Sequence, residues 1–412
     1  MVNPLFSILI PTRNRAYLLG DALHSVLSQS LGDFEIIVSD NYSEDNTELV
    51  TKSFKDSRIK YYNTGKFLLN SWDPENKKYM KSNWDHAYSK ATGQFIWLIG
   101  DDDYFLPNAL ENVKRIIDKK NAKIVISGII TFYDKKYFDG DLKDCVQAKC
   151  FTGKIFEEKA NKILKLYFNL DSENGLPPHP SGFCINKSIL DRINEKYNVV
   201  YPPVFGEIAC TCRAMLLIDK IYNLDKPIVC VRRTNVSAVT KLLHNDDAMW
   251  KDQEKDCKYT IFKAPISLNF HVDTLLRVKN YEPDQFTAYE IPLEKYVMEY
   301  YYQLNQILGE KDVFQKYRKD FIRRINELHV KLSMHCKYSI LVCDFKRIFR
   351  KTFLYFFSNI VRNIISKSSK IHMSDLGINN VRDFDDKLTV LAVALNQQSK
   401  IWNTTEPAIY DK

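Results

Sequence analysis

In the first 133 residues, short apolar runs alternate with segments whose apolar residues recur at helical spacing, and this alternation constrains the fold more than any other feature. "FSILI" (6–10) reads as a buried strand, and Leu19, Leu23, Val26 and Leu27 place a helix over 14–29. "FEIIVSD" (34–40) is a second strand, followed by a polar turn and a helix from about Thr47. A short third strand covers 58–63, a helix near 83–91 is expected to end at Gly93, and a fourth strand covers 94–99. Pro107 is expected to open the next helix, where its missing N–H does no harm, and 123–132 forms a fifth strand. Apolar strands alternating with helices imply an α/β, Rossmann-like fold with a mostly parallel sheet flanked by helices. Ligands of such sheets sit beyond the carboxyl ends of the strands. Asp40 and the run Asp101–Asp103 both fall there.

At 412 residues the chain has room for two domains, each with a core. Its net charge of +8 calls for an anionic partner, whether nucleotide phosphate, nucleic acid or an acidic membrane surface. Nine cysteines, an odd number without a CxxC pair, fit neither a zinc knuckle nor a disulfide framework and point to reduced intracellular thiols. The apolar run Leu5–Ile10 stops at Pro11, so it reads as a first strand and not a signal peptide. No segment approaches the length of a bilayer span.

"WLIGDDDYFLP" (97–107) gathers three adjacent carboxylates at the end of a buried strand. Neighbouring buried carboxylates raise one another's pKa unless a cation relieves the repulsion. A divalent metal suits such hard oxygen ligands, and magnesium or manganese held by one or two carboxylates completes its shell with substrate phosphates. The competing reading is a solvated acidic turn ahead of a helix, where acids also favour the helix dipole. Position at a strand end, opposite Asp40 at another, favours a site.

"FSILIPTRNRAYLLGDALHSVLSQSLGDFEIIVSDNYSEDNT" followed by "NWDHAYSKATGQFIWLIGDDDYFLP" resembles the family 2 glycosyltransferases with the GT-A fold. The resemblance is firm over about the first 130 residues. It implies that Pro11 and Thr12 line the nucleotide base, with Arg13 beside them, that Asp40 contacts the base and that Asn83 touches the nucleotide. Asp101 and Asp102 then form the DxD-type element, with Asp101 nearer the ribose and Asp102 on the metal. Asp103 is a second candidate for the metal, and its place at the start of the next turn suits a structural role more than that one. Arg13 stands where many members carry an aromatic residue, and a guanidinium also stacks on a base. Gly100 stands where the motif's first carboxylate usually is.

A glycosyl transfer needs a base for the incoming hydroxyl and a counter-charge for the departing diphosphate. "YPPVFGEIACTCRAML" (201–216) resembles the place where the family carries its catalytic Asp at a helix start, and Glu207 stands there. A Glu stabilising a helix N-terminus is the alternative. His179 in "LPPHPSGFCI", and Arg232, Arg233, Lys241 and His244 in "VRRTNVSAVTKLLHND", are weaker candidates for phosphate contacts.

The organisation expected is a GT-A domain over 1–244, with 1–133 as the nucleotide-sugar and metal half and 134–244 as the acceptor half. Residues 245–412 follow as a helical C-terminal appendage. Within it, 346–370 puts Phe349, Phe353, Phe356, Phe357, Ile360, Val361 and Ile364 on one stripe flanked by seven basic residues. That arrangement suits an anionic bilayer surface, or a core-facing helix with a solvated back. The resemblance implies a metal-dependent, inverting transfer from a nucleoside-diphosphate sugar, UDP-linked first, to a glycan or lipid-linked saccharide in polysaccharide biosynthesis. Mn2+ or Mg2+ is the expected cofactor, and no nucleic-acid partner is expected. The expected setting is cytoplasmic, with a peripheral seat on the membrane's cytoplasmic face. A nucleotidyltransferase acting on a sugar phosphate and a non-catalytic sugar-nucleotide or glycan-binding protein are the alternatives.

Overall fold

A computed structural model describes residues 3–343, apart from 69–71, 74–77, 80, 139–142, 149–150, 172–178, 203–204, 236–258, 263, 265, 308–310, 328–331 and 342, together with 371–372. The boundary expected at 244/245 and the basic segment 346–370 lie outside the described residues.

The first unit is built from β1 (Phe6–Thr12), α1 (Ala16–Leu27), β2 (Phe34–Asp40), α2 (Thr47–Ser53) and β3 (Ile59–Asn63). A small ribbon, β4 (Trp72–Asp73) with β5 (Lys78–Tyr79), leads to α3 (Asn83–Lys90), β6 (Phe95–Leu98), β7 (Tyr104–Phe105), α4 (Ala109–Lys120) and β8 (Ile124–Tyr133). Then come β9 (Cys145–Gln147), β10 (Ile155–Lys159), α5 (Ala160–Phe168), β11 (Phe183–Asn186), α6 (Lys187–Tyr197), α7 (Gly206–Leu216) and β12 (Lys220–Arg233). Helices α8 (Ser267–Tyr281), α9 (Pro283–Phe286), α10 (Leu293–Ile307) and α11 (Lys311–Glu327) follow, and β13 (Ile371–His372) returns to pair with β9.

The main sheet runs β10-β12-β8-β11-β6-β1-β2-β3. Strands β6, β1, β2 and β3 are parallel, as are β8 and β12, but β11 lies antiparallel between β6 and β8. The period-2 alternation of the strands divides the core. Ile8, Ile10, Ile36, Val38 and Trp97 pack with Leu19 and Leu23 of α1 and with Leu110 and Val113 of α4. Leu9, Ile37, Ile96 and Leu98 face the other way, toward α3, α5, α6 and α7. The C-terminal helices share this second core through Val272, Leu275, Tyr296 and Tyr300, with Phe262 from the segment before α8.

Two boundaries differ from expectation. Helix α3 closes at Ala91, not Gly93. Gly93 answers to packing, since a Cβ there would stand 2.6 Å from the Ser7 backbone nitrogen on β1. Helix α4 starts at Ala109, two residues after Pro107, because Asn108 takes a left-handed conformation at φ 63°. Among the described residues no helix is long and apolar enough to cross a membrane.

Candidate active site

Parallel register sets Thr12 beside Asp40 at the carboxyl edge of β1 and β2, and Leu9 beside Leu98 on β6. The chain leaving β6 therefore delivers Asp101 to the end of β1. There the Thr12 hydroxyl donates to Asp101 Oδ2 at 2.7 Å. A cavity of about 300 Å³ opens at this edge, lined by Pro11, Thr12, Arg13, Arg15, Asn41, Leu68, Ser82, Asn83, Trp84 and Asp101. Pro11, Thr12, Arg13, Asn83 and Asp101 are thus brought together as expected from sequence.

The acidic run divides its work. Asp101 is buried, and Arg15 Nη1 donates to its Oδ1 at 2.9 Å. The same nitrogen lies 3.5 Å from Asp102 Oδ2. Burial pushes the Asp101 carboxyl up, against the pull of Arg15, and the charge of Asp102 adds to the rise. Burial opposes the charge of Arg15 too, yet Asp101 and Asp102 more than offset this and raise its pKa. Asp103 is a correction to the expected ligand set. Its carboxylate turns inward, accepting from the Ser181 hydroxyl and, at 3.1 Å, from the Gly100 N–H. Trp97 Nε1 braces the same loop by donating to the Ser181 carbonyl at 2.6 Å. Gly100 has a steric reason, because a Cβ there would come 2.8 Å from Asp102 Oδ1 and 3.0 Å from Asp103 Oδ2.

Asp40, expected at the base, is held by protein groups. It is 1% exposed, and its carboxylate accepts from Tyr61 Oη (2.5 Å), Asn63 Nδ2 (3.3 Å) and the Ser43 N–H (2.9 Å). Burial, then the bond to Asp40, pushes the Tyr61 phenol up to about 12. Asp40 thus braces the turn after β2, and Asn41 faces the cavity in its place. Asn83 links the strand ends, donating to the carbonyls of Ser39 (2.9 Å) and Thr12 (3.4 Å). Arg13 spreads over the Phe67 ring at 3.8 Å.

The start of α7, which bears Glu207, is tied to the cavity wall through a chain of contacts. Ser82 caps α3 with a reciprocal bond to Asp85, and Asp85 Oδ1 accepts the N–H groups of Val200 (2.8 Å) and Tyr201 (3.1 Å). Trp84, on the cavity wall, meets Tyr201 edge-on at 5.7 Å. Tyr201 in turn lies against Gly206, where a Cβ would stand 2.9 Å from its carbonyl carbon. Glu207 follows in the first turn of α7. Burial pushes its carboxyl up to about 7, near the value a general base needs to hold and release a proton at neutral pH.

Arg232 and His179, among the weaker candidates, are held by protein groups. Arg232 is 1% exposed and is held by Asp21 (2.8 Å), Asp134 (3.5 Å) and the Asp102 carbonyl (3.0 Å). His179 accepts from the Ser181 N–H at 3.4 Å, and burial, with Arg233 adding, drives it down to about 3, leaving it neutral. Lys241 and His244 lie outside the described residues. The sequence reading missed Arg15, Asp85 and Ser181. For Asp85 a signal was there, in the capping-box spacing Ser82-x-x-Asp85.

Among the described residues no three His, Cys, Asp or Glu side chains converge into a metal cage. Asp101 and Asp102 offer two adjacent carboxylates, and Asp102 keeps 14% of its side chain exposed. Such a donor set fits magnesium or manganese only when substrate phosphates complete the shell.

The family model described as glycosyl transferase family 2 matches residues 7–193. A GalNAc(5)-diNAcBac-PP-undecaprenol beta-1,3-glucosyltransferase of Campylobacter jejuni is 34% identical over 288 residues, covering 65% of this chain and 85% of that relative. The UDP-Glc:alpha-D-GlcNAc-diphosphoundecaprenol beta-1,3-glucosyltransferase WfgD of Escherichia coli is 31% identical over 121 residues, 29% of this chain and 44% of its own length. Among solved structures, S. aureus TarS 1-349 in complex with UDP-GlcNAc is 15% identical, covers 77% of this chain and 88% of that one, and has a TM-score of 0.44. The chain belongs to the family 2 glycosyltransferases.

Proposed function

We propose that this glycosyltransferase moves a sugar, with inversion, from a nucleoside-diphosphate sugar to a hydroxyl of a lipid-linked saccharide, and that UDP is the nucleotide. The observation that carries the reading is the shared wall. The cavity edged by Thr12, Asn83 and Asp101 and the helix bearing Glu207 are joined through Trp84, Asp85 and Tyr201. A nucleotide placed against Pro11, Thr12 and Asn41 would direct its phosphates toward Asp101 and Asp102. Arg13 and Phe67 offer a flat surface beside the base. Glu207 takes the proton of the acceptor hydroxyl as that oxygen attacks the anomeric carbon and the bond to the diphosphate breaks. Mn2+ or Mg2+ bound at Asp102, with Asp101 beside it, would supply a counter-charge for the departing diphosphate. The acceptor class is supported by the relatives, two of which are named for undecaprenol-linked diphosphate saccharides.

Product analysis tests the reaction class. Free nucleoside diphosphate is expected, and release of pyrophosphate would mean nucleotidyl transfer. A lipid-linked acceptor also requires the enzyme at a membrane. The protein should therefore sediment with anionic liposomes and be released by high salt, which screens surface charge. If it ignores such liposomes, the acceptor is water-soluble.

A further inference from the structure

The acidic run meets a cation supplied by the chain itself. A single guanidinium nitrogen of Arg15 bridges two carboxylates, 2.9 Å from Asp101 Oδ1 and 3.5 Å from Asp102 Oδ2. The stem of Arg15 is pinned, since its carbonyl accepts the N–H groups of Leu18 (2.9 Å) and Leu19 (3.1 Å) in the first turn of α1. The neighbouring loop is pinned too, because the Asn14 N–H donates to Ser43 Oγ at 2.8 Å and Asn14 Oδ1 accepts the Glu44 N–H at 2.8 Å. The far end is not enclosed. Its side chain is 26% exposed and forms part of the cavity wall beside Pro11, Thr12 and Asn83.

We propose that Arg15 is a resident counter-charge which a divalent cation must displace from Asp102, and that the displaced guanidinium then binds the diphosphate of the donor. This rests on the reading that Asp102 holds the cation. Two consequences of opposite sign follow. In the empty protein Arg15 and the cation compete for the same carboxylate oxygens, so Arg15 weakens binding of the bare ion. Once a nucleoside diphosphate is present, its oxygens supply the missing negative charge. The planar fork of Arg15 matches two of them, so Arg15 strengthens binding. The cation therefore enters with the diphosphate and not ahead of it.

Manganese binding by electron paramagnetic resonance and UDP binding by calorimetry, on full-length wild type, Arg15→Met, Arg15→Lys and Asp102→Asn, test this. Arg15→Met should bind manganese alone about tenfold more tightly than wild type, and UDP with manganese about ten- to a hundredfold more weakly. Arg15→Lys should fall between on both measures, since it keeps the charge and loses the fork; it also serves if Arg15→Met does not fold. Equal manganese binding by wild type and Arg15→Met would overturn the proposal, as would weakening of both ligands alike, which marks a purely structural arginine. Asp102→Asn separates the two layers. Loss of manganese in that variant, with an unchanged Arg15→Met, sinks the proposal alone. Manganese binding that ignores Asp102→Asn sinks the metal reading and the proposal with it.

Discussion

Within one turn, Asp101 meets Arg15 and Thr12, Asp102 keeps partial exposure, and Asp103 is sealed against Ser181. Asp103→Ala should leave the Ser181 hydroxyl and the Gly100 N–H buried without their acceptor, at a cost of about 1–3 kcal/mol. Thermal melting should register that loss, while UDP affinity, measured on the folded variant, changes little. A large drop in UDP affinity with unchanged melting would return Asp103 to the ligand-binding set. Glu207 is the other residue whose surroundings set its chemistry. Its folded pKa of about 7 exceeds the ordinary 4.5. A raised acid holds its proton longer in the folded chain, so its contribution to stability is present at low pH and is lost as pH rises through about 7. The ionised form is the base. The acid limb of kcat/KM should therefore rise with its midpoint near pH 7, and Glu207→Gln should abolish that limb while lowering turnover on the order of a hundredfold to ten-thousandfold. Retention of the full limb in the variant would place the base elsewhere.

At the scale of elements, the site depends on how α7 meets the loop before it. Phe205 caps α7 in a left-handed conformation, φ 45°, and stacks on His271 of α8 at 4.9 Å. Gly206 allows the backbone of α7 to touch Tyr201, whose own N–H is fixed by Asp85. A methyl at 206 would strike backbone, which cannot rotate aside as a side chain would. Gly206→Ala should shift the start of α7 and with it Glu207, reducing kcat by about tenfold or more, since small misplacements of a reacting group are costly. UDP affinity should hold, because the nucleotide wall is made by other elements. Steady-state kinetics beside calorimetry decides this, and an equal loss in both would mean that α7 supports the nucleotide wall as well.

At the scale of the whole molecule, the C-terminal helices are part of the core that carries the site. Arg213 on α7 and Glu282, just past α8, are each 4% exposed and lie 3.2 Å apart, with the Arg213 guanidinium over the Tyr197 ring at 3.8 Å. Lys196 adds a second contact to Glu282 at 3.4 Å. Removing one partner of a buried pair strands the other charge. Glu282→Ala should therefore destabilise by roughly 3–5 kcal/mol. The double change Arg213→Met with Glu282→Leu should lose much less than the sum of the singles. Additive losses in denaturant unfolding would show that the two side chains act independently.

What the sequence determined alone is what depends on near neighbours. Period-2 and period-3.6 patterns sort residues onto faces, so the strands read at 6–10 and 34–40, the α/β class and the polar strand ends were legible. The start of the helix bearing Glu207 was legible from the family resemblance, not from periodicity. Tertiary structure decided what depends on partners far along the chain. Arg15 lies 86 residues from Asp101, Ser181 lies 78 from Asp103, and Arg232 lies 130 from the Asp102 carbonyl it holds. No periodicity encodes those pairings. They follow from strand order, including the antiparallel entry of β11, which carries Ser181 to the acidic loop just before the strand begins. The pleat of β12 separates Arg232 from its neighbour. Successive strand residues point to opposite faces, and only Arg232 faces Asp21 and Asp134. The acidic run looked from its own sequence like a demand for metal. The fold answers much of that demand with an arginine, because charges distant in sequence pay no further loop-closure entropy to meet once the sheet has brought them together.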